Sequence, residues 1–192
     1  MRKGLLAALA TAALLVTGCS TGSSAVDVDN GGQFRFVEGT RAGQVIPVGE
    51  RKTAPTFSGT LLDGSQFSSS SLSGDVAVLN FWGSWCPPCR VETPEFQQVY
   101  DDVKASGVKF LGLNVKETDK QFANAFVQSK GITFPSIYDP KGQVALAFRG
   151  YPATAIPSTI VLDTHDRVAA VYTGAVKQDD LRSVVDLVLK ES

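Results

Sequence analysis

Cys86 and Cys89 stand three residues apart in the segment Trp85-Cys86-Pro87-Pro88-Cys89. Two thiols at this spacing, at the start of a helix, can close a small disulfide ring without unfolding anything around it. The first N–H groups of a helix have no partner inside the helix, and the helix dipole adds positive charge there. A thiolate is therefore favoured at the leading cysteine. This is the chemistry of a redox-active pair. Half of a zinc site is the competing use of the motif, but zinc needs a second pair of Cys or His ligands. The chain holds three cysteines and one histidine. The third cysteine has another use, and His165 sits in Asp163-Thr164-His165-Asp166, which reads as an exposed hairpin turn. No metal site is expected, since one His and one initiator Met leave few imidazole or soft ligands.

The elements that must hold this pair alternate along the chain. Residues 76–82 are apolar nearly throughout, as a strand buried on both faces should be. Residues 87–104 read as the following helix, with Val91, Phe96, Val99 and Val103 on one side and Pro94 inside it as a kink. Glu92 and Glu95 read as its solvated face. Residues 108–115 form the next buried strand. Thr118 then caps a helix to Lys130 with Phe122, Ala125 and Phe126 inward. A short strand at 136–138, a short helix at 142–148 and an antiparallel pair at 159–162 and 168–172 follow. Residues 178–189 close the chain as an amphipathic helix with Leu181, Val184, Val185 and Val188 inward. Ahead of all these, 56–62 and 66–68 read as a strand pair across Asp63-Gly64. Parallel strands with crossover helices predict an α/β fold with helices on both faces of the sheet.

The beginning of the chain reads differently. Met1-Arg2-Lys3 is a short positive start, and residues 4–16 are an apolar run too short to span a bilayer as a stable helix. Residues 1–18 are read as a secretory signal peptide. The ending Leu15-Val16-Thr17-Gly18-Cys19 resembles the bacterial lipobox, which implies cleavage before Cys19 and a lipid on its sulfur. One cysteine then serves the anchor and two the chemistry, in a compartment where disulfides persist. Residues 20–32 are rich in Ser, Gly, Asp and Thr and read as a flexible tether. Phe34, Phe36, Val45, Ile46 and Val48 suggest a hairpin or an arm on the domain edge. The expected division is 1–18 signal peptide, 19–54 anchored tether and extension, and 55–192 one domain. The formal net charge is −1 and becomes −3 without Arg2 and Lys3. A mildly acidic chain with no basic cluster argues against nucleic acid as a partner.

Taken together, Trp85-Cys86-Pro87-Pro88-Cys89 after Val78-Leu79-Asn80-Phe81-Trp82, Pro94 five residues beyond Cys89, Ile156-Pro157-Ser158-Thr159 and Gly174 resemble the thioredoxin superfamily. The resemblance runs from about Thr56 to the end. It is strongest to the TlpA/ResA/DsbE-like branch of membrane-anchored thiol–disulfide oxidoreductases. Asn80 stands where thioredoxin has a buried aspartate, and residues 115–138 look like the branch's helix-and-strand insertion, with its Asn-Val-x-Glu pattern at Asn114-Val115-Lys116-Glu117. The implied fold is a mixed central sheet with helices on both faces, an N-terminal strand pair and a central insertion. The implied activity is thiol–disulfide exchange without a small-molecule cofactor.

Cys86 is expected to be the exposed nucleophile and Cys89 the more buried resolving thiol. The resemblance implies a cis Ile156–Pro157 bond, with the Ile156 backbone pairing an extended substrate segment. Trp85, Pro87 and Pro88 flank the pair, and Trp85 is read as shielding the disulfide from water. In the resembling branch a glutamate at the position of Glu117 lies near the cysteines, which makes Glu117 a candidate proton acceptor for Cys89. The branch also implies electrons from a membrane thiol transporter of the CcdA type and apocytochrome c as the usual target, reduced by a monomer held on the extracytoplasmic face of the bacterial cell membrane. The alternatives are an oxidant of secreted proteins, a thioredoxin-fold metal chaperone and a thiol peroxidase. The metal chaperone needs another cysteine spacing and a His ligand. The peroxidase has a Thr three residues before its reactive Cys, where this chain has Gly83.

Overall fold

The computed structural model describes residues 43–191; the leader, Cys19, the tether and residues 34–36 lie outside them. The chain builds β1 (Gly43–Val45), β2 (Ser58–Thr60), β3 (Gln66–Ser68), β4 (Ala77–Trp82), α1 (Pro87–Val103), β5 (Lys109–Val115), α2 (Lys120–Lys130), β6 (Ser136–Asp139), α3 (Gln143–Ala147), β7 (Ser158–Leu162), β8 (Val168–Thr173) and α4 (Gln178–Lys190). Six strands form one mixed sheet in the order β1-β8-β7-β4-β5-β6, and β2 pairs with β3 apart from it. β4, β5 and β6 run parallel, while β7, β8 and β1 pair antiparallel in turn beyond β4. Parallel neighbours cannot be joined by a tight turn, so α1 and α2 serve as the crossovers.

Alternation along β4 explains its apolar run. Ala77, Leu79 and Phe81 point into one core with Leu111, Leu113, Val144 and Phe148. Val78 points to the other face, into a core with Phe96 and Val99 of α1 and Leu181, Val184, Val185 and Val188 of α4. Asn80 and Trp82 share the parity of Val78 and so face the α1 side. The four inward residues of α4 are all buried, as their spacing predicts.

Three local expectations are corrected. In α1 the buried face is Cys89, Glu92, Thr93, Phe96, Gln97, Val99 and Val103, whereas Val91 is exposed. In α2 the buried residues are Ala123 and Phe126, and Phe122 and Ala125 are exposed. The cap of α2 is Asp119, not Thr118: its Oδ1 accepts from the Gln121 N–H at 2.8 Å.

The sheet also takes in residues ahead of position 55. β1 lies on the sheet edge against β8, and Ile46 is buried behind it. A buried ion cluster fastens this arm. Arg51 donates from Nε to the Ile46 carbonyl at 2.9 Å and from its guanidinium to Asp163 at 3.3 Å and to Glu191. Burial opposes ionisation of Asp163, but hydrogen bonds from Arg167, the His165 N–H and Arg51 overcome it and hold the carboxyl below the usual carboxylate range.

Candidate active site

Cys86 and Cys89 form a disulfide at the N-terminus of α1, with their Cα atoms 5.3 Å apart. Cys86 is the N-cap, and Pro87 and Pro88 fill the first two helical positions. Proline suits those positions because its fixed φ matches the helix and its missing N–H would be unpaired anyway. The first N–H the helix offers is therefore that of Cys89, and it points at Cys86 Sγ, 3.2 Å away. The Arg90 N–H reaches the Cys86 carbonyl at 3.2 Å.

The pair is more covered than its sequence suggests. Cys86 is 2 % exposed and Cys89 fully buried. Both belong to a small apolar cluster with Trp82, Ala123 and Phe126, against which Leu62, Val127 and Ile156 pack. The expectation of an exposed Cys86 is thus corrected: α2, the β2–β3 hairpin and the segment before β7 converge over the sulfurs. The exposed groups around the pair are Trp85, at 48 % exposure, Pro87 and Pro88.

The end of β5 clamps the loop that carries Cys86. Trp85 Nε1 donates to the Val115 carbonyl at 3.2 Å. Glu117 is buried, and its Oε2 accepts from the Ser84 N–H at 2.9 Å and from Asn114 Nδ2 at 3.2 Å. Between them Lys116 sits at φ 53°, a left-handed conformation that costs a non-glycine residue roughly 1–2 kcal/mol. That turn reverses the chain just after β5, so that Glu117 reaches back to the cysteine loop. The Trp85 indole also lies over Gly83: a Cβ on Gly83 would stand 2.4 Å from Nε1. A threonine at position 83 is incompatible with this indole, which removes the residue a thiol peroxidase would need.

Asn80 and Glu92 form a second polar group beneath the disulfide. Glu92 is 1 % exposed, which overturns its reading as solvated surface. It lies one turn beyond Cys89 on the same face of α1. Its carboxylate accepts from Asn80 Nδ2 at 2.9 Å and from the Val176 N–H at 3.0 Å. Burial pushes its pKa up to about 7 from the ordinary 4.5, although both hydrogen bonds act in the other direction. Glu95 is half-buried and accepts from the Gln178 N–H at 2.8 Å. Asn80 Nδ2 also donates to Thr159 Oγ1 at 3.3 Å, and its Oδ1 has no partner among the described residues.

The Ile156–Pro157 peptide is cis. The Pro157 carbonyl accepts from the N–H of Gly174, which has a φ of 86° open to glycine, at 2.9 Å. Ile156 is half-buried beside the cysteine cluster, and its N–H and C=O make no hydrogen bond among the described residues. The structure thus gathers Trp85, Cys86, Pro87, Pro88, Cys89, Ile156 and Pro157 at one end of the sheet, with Glu117 one loop away. Sequence reasoning missed Glu92, although its spacing from Cys89 and Phe96 marked it as inward.

Comparison with known proteins places this geometry. Residues 51–171 match the AhpC/TSA family. The thiol-disulfide oxidoreductase ResA of Geobacillus kaustophilus strain HTA426 is 36 % identical over 129 residues, which cover 67 % of this chain and 72 % of that one. A DsbF homologue from Corynebacterium diphtheriae superposes with a TM-score of 0.72 at 36 % identity, covering 80 % of this chain and 98 % of that one. A secreted thiol-disulfide isomerase from Corynebacterium glutamicum gives 0.74 at 33 % identity, covering 82 % and 97 %. With a Cys-x-x-Cys disulfide capping α1, a cis proline beside it and these relatives, the chain belongs to the AhpC/TSA family of thioredoxin-fold proteins, as a thiol–disulfide oxidoreductase of the ResA/DsbE type.

Proposed function

We propose that this protein works outside the cytoplasm, held by a lipid on Cys19, and reduces disulfides in partner proteins. The observation that carries the chemistry is the Cys86–Cys89 disulfide at the N-terminus of α1, with the Cys89 N–H aimed at Cys86 Sγ. In the reduced protein the Cys86 thiolate attacks one sulfur of a substrate disulfide. A Cys86–substrate disulfide forms, and the substrate's other sulfur leaves as a thiolate that takes up a proton. Cys89 then loses its proton and attacks Cys86 Sγ, which expels the second substrate thiolate and leaves the Cys86–Cys89 disulfide. Two electrons have passed to the substrate. The candidate acceptors of the Cys89 proton are Glu117, which clamps the Ser84 loop ahead of Cys86, and Glu92, one turn beyond Cys89 on the same face of α1.

Substrate docking is assigned to the unpaired Ile156 backbone, which can add an extended segment as a strand beside Pro157, while Trp85, Pro87 and Pro88 form the exposed rim. A secreted relative of known structure supports the extracytoplasmic location. The proposed physiological role is reduction of apocytochrome c for cytochrome c maturation, with electrons from a CcdA-type membrane transporter. Fractionation of cells tests the anchor: wild type is expected in the membrane and Cys19→Ala in the soluble fraction, and a soluble, unlipidated wild type would overturn it.

The reducing direction rests on Pro87 and Pro88. Strong oxidants of this chemistry stabilise the reduced thiolate with donors, and neither proline has an N–H to give. Only the Cys89 N–H and the helix dipole remain. Arg90 adds positive charge, but it is exposed and its guanidinium is engaged with the Ser84 carbonyl and the Phe126 ring, so solvent screens it. The reduction potential is expected nearer about −270 mV than about −120 mV. Equilibration with glutathione measures it. A value above about −150 mV would favour the alternative reading, an oxidant that installs disulfides in secreted proteins.

A further inference from the structure

Alternate N–H groups of the turn from β8 into α4 are taken by different parts of the fold. Gly174 donates to the Pro157 carbonyl at 2.9 Å, Val176 to Glu92 Oε2 at 3.0 Å and Gln178 to Glu95 Oε2 at 2.8 Å. Two of these acceptors are carboxylates of α1, one turn apart on the helix that Cys86 caps. The third is the carbonyl of the cis proline, next to the Ile156 backbone assigned above to substrate docking. A run of hydrogen bonds thus links the helix behind the nucleophile to the docking edge, by way of the 174–178 turn and Pro157.

The start of α4 has no cap of its own. Lys177 is its N-cap and makes no side-chain capping bond, because an ammonium has no lone pair for a helix N–H. Glu95 supplies the missing acceptor from another helix. Stability alone does not call for this. Asp179 and Asp180 already set negative charge against the helix dipole, and Leu181 and Val184 bury α4 in the core it shares with Phe96 and Val99 of α1. A Ser or Asp at position 177 would cap α4 equally well, but would tie the helix only to itself. A cap given by α1 fixes the turn against the helix whose first turn holds the disulfide.

That spacing matters for the reaction. A substrate strand paired with Ile156 brings its cystine onto Cys86 only while the docking edge and the first turn of α1 keep their separation, and a misplacement on the order of 1 Å is costly. We propose that Glu95 is a positioning residue, which caps α4 from α1 and so holds the 174–178 turn and the Ile156–Pro157 docking edge in register with Cys86. This rests on the docking role of Ile156, and the test separates the two. The donor can be removed without touching α1. Gln178 is the first residue of α4 and follows an extended Lys177, at φ −80° and ψ 156°. Proline suits that setting, so Gln178→Pro deletes the N–H and keeps the helix start. It also leaves in place the Glu95 charge, which opposes ionisation of Glu92. Glu95→Ala removes the acceptor, and Glu95→Gln keeps one.

Single-turnover oxidation of the reduced protein by excess disulfide-bonded peptide gives a maximal rate and a half-saturating concentration. A twin peptide, N-methylated at the residues flanking its reacting cysteine, cannot pair with the strand edge. With the unmodified peptide, Gln178→Pro and Glu95→Ala are each expected to raise the half-saturating concentration about threefold to tenfold, the worth of one strand-edge hydrogen bond. The maximal rate should stay within about twofold, and the double variant should match the single ones, because both remove one bond. Glu95→Gln should stay near wild type, and with the twin peptide all the proteins should behave alike. A merely structural role would lower the reacting amplitude and leave half-saturation unmoved. A wild type indifferent to N-methylation overturns the docking role of Ile156 and the positioning role with it. A wild type that discriminates between the peptides, beside variants with unchanged half-saturation, overturns the positioning role alone.

Discussion

Replacing Cys89 by Ser is expected to convert the protein into a trap. Cys86 would still attack a substrate disulfide, but no second thiol would remain to release the product, and a covalent mixed disulfide would accumulate. Turnover should fall to the uncatalysed background. Cys86→Ser should lose turnover as well, yet trap only weakly. The asymmetry follows from the first turn of α1. Cys86 is the N-cap, flanked by exposed Trp85, Pro87 and Pro88, and its sulfur receives the only N–H that the first helical positions provide. Cys89 lies on the buried face of α1, fully buried behind Cys86. Non-reducing electrophoresis with a disulfide-bonded substrate reads both outcomes. Equal trapping by the two variants, or turnover surviving Cys86→Ser, would reverse the roles.

The second large effect concerns stability against pH. Burial raises the Glu92 pKa from 4.5 to about 7 in the folded protein. Below 4.5 the group is protonated in both folded and unfolded chains and costs nothing. Between 4.5 and 7 the unfolded chain loses its proton while the folded one keeps it, so stability falls as pH rises. Above 7 both are ionised and the full cost is present. The difference of between two and three pKa units corresponds to about 3 kcal/mol. Glu92→Gln should remove this slope. At pH 4 the neutral carboxyl of wild type, like the amide, offers one carbonyl oxygen to the two donors, so the two proteins should start close together. The variant should then gain on wild type as the pH rises to 8. Urea midpoints of the oxidised proteins across that range give the comparison. Parallel curves would show that Glu92 titrates in the fold as it does in water.

Much of this architecture could be read from residue order. The apolar runs of β4 and β5 signalled strands covered on both faces, and the i, i+3, i+4, i+7 spacing of Leu181, Val184, Val185 and Val188 gave the inner face of α4. Glu92 shows where a reading by residue type fails. Cys89, Glu92, Phe96, Val99 and Val103 recur at helical spacing on one face, so periodicity placed Glu92 inward while its charge suggested the surface. The partners that make its burial tolerable, Asn80 and the Val176 N–H, lie 12 and 84 residues away and could not be inferred locally. Val91 and Phe122 err in the opposite sense: apolar side chains one position off the buried stripe stay in solvent. The covering of Cys86 was likewise hidden, because Leu62, Phe126 and Ile156 come from three separate parts of the chain.

That covering has a consequence for traffic among redox proteins that share a compartment. A disulfide whose leading sulfur is 2 % exposed presents almost no target to a small thiol diffusing up from bulk solution. Rates of exchange depend on access as well as on thiolate content. A protein partner can offer what a small thiol cannot: a strand to pair with the open Ile156 backbone and enough contact area to part the apolar cover. The site is insulated in the electrical sense. Exchange with docked partners is then expected to outrun exchange with small thiols, so the pair can stay out of equilibrium with the surrounding pool while it serves its partners.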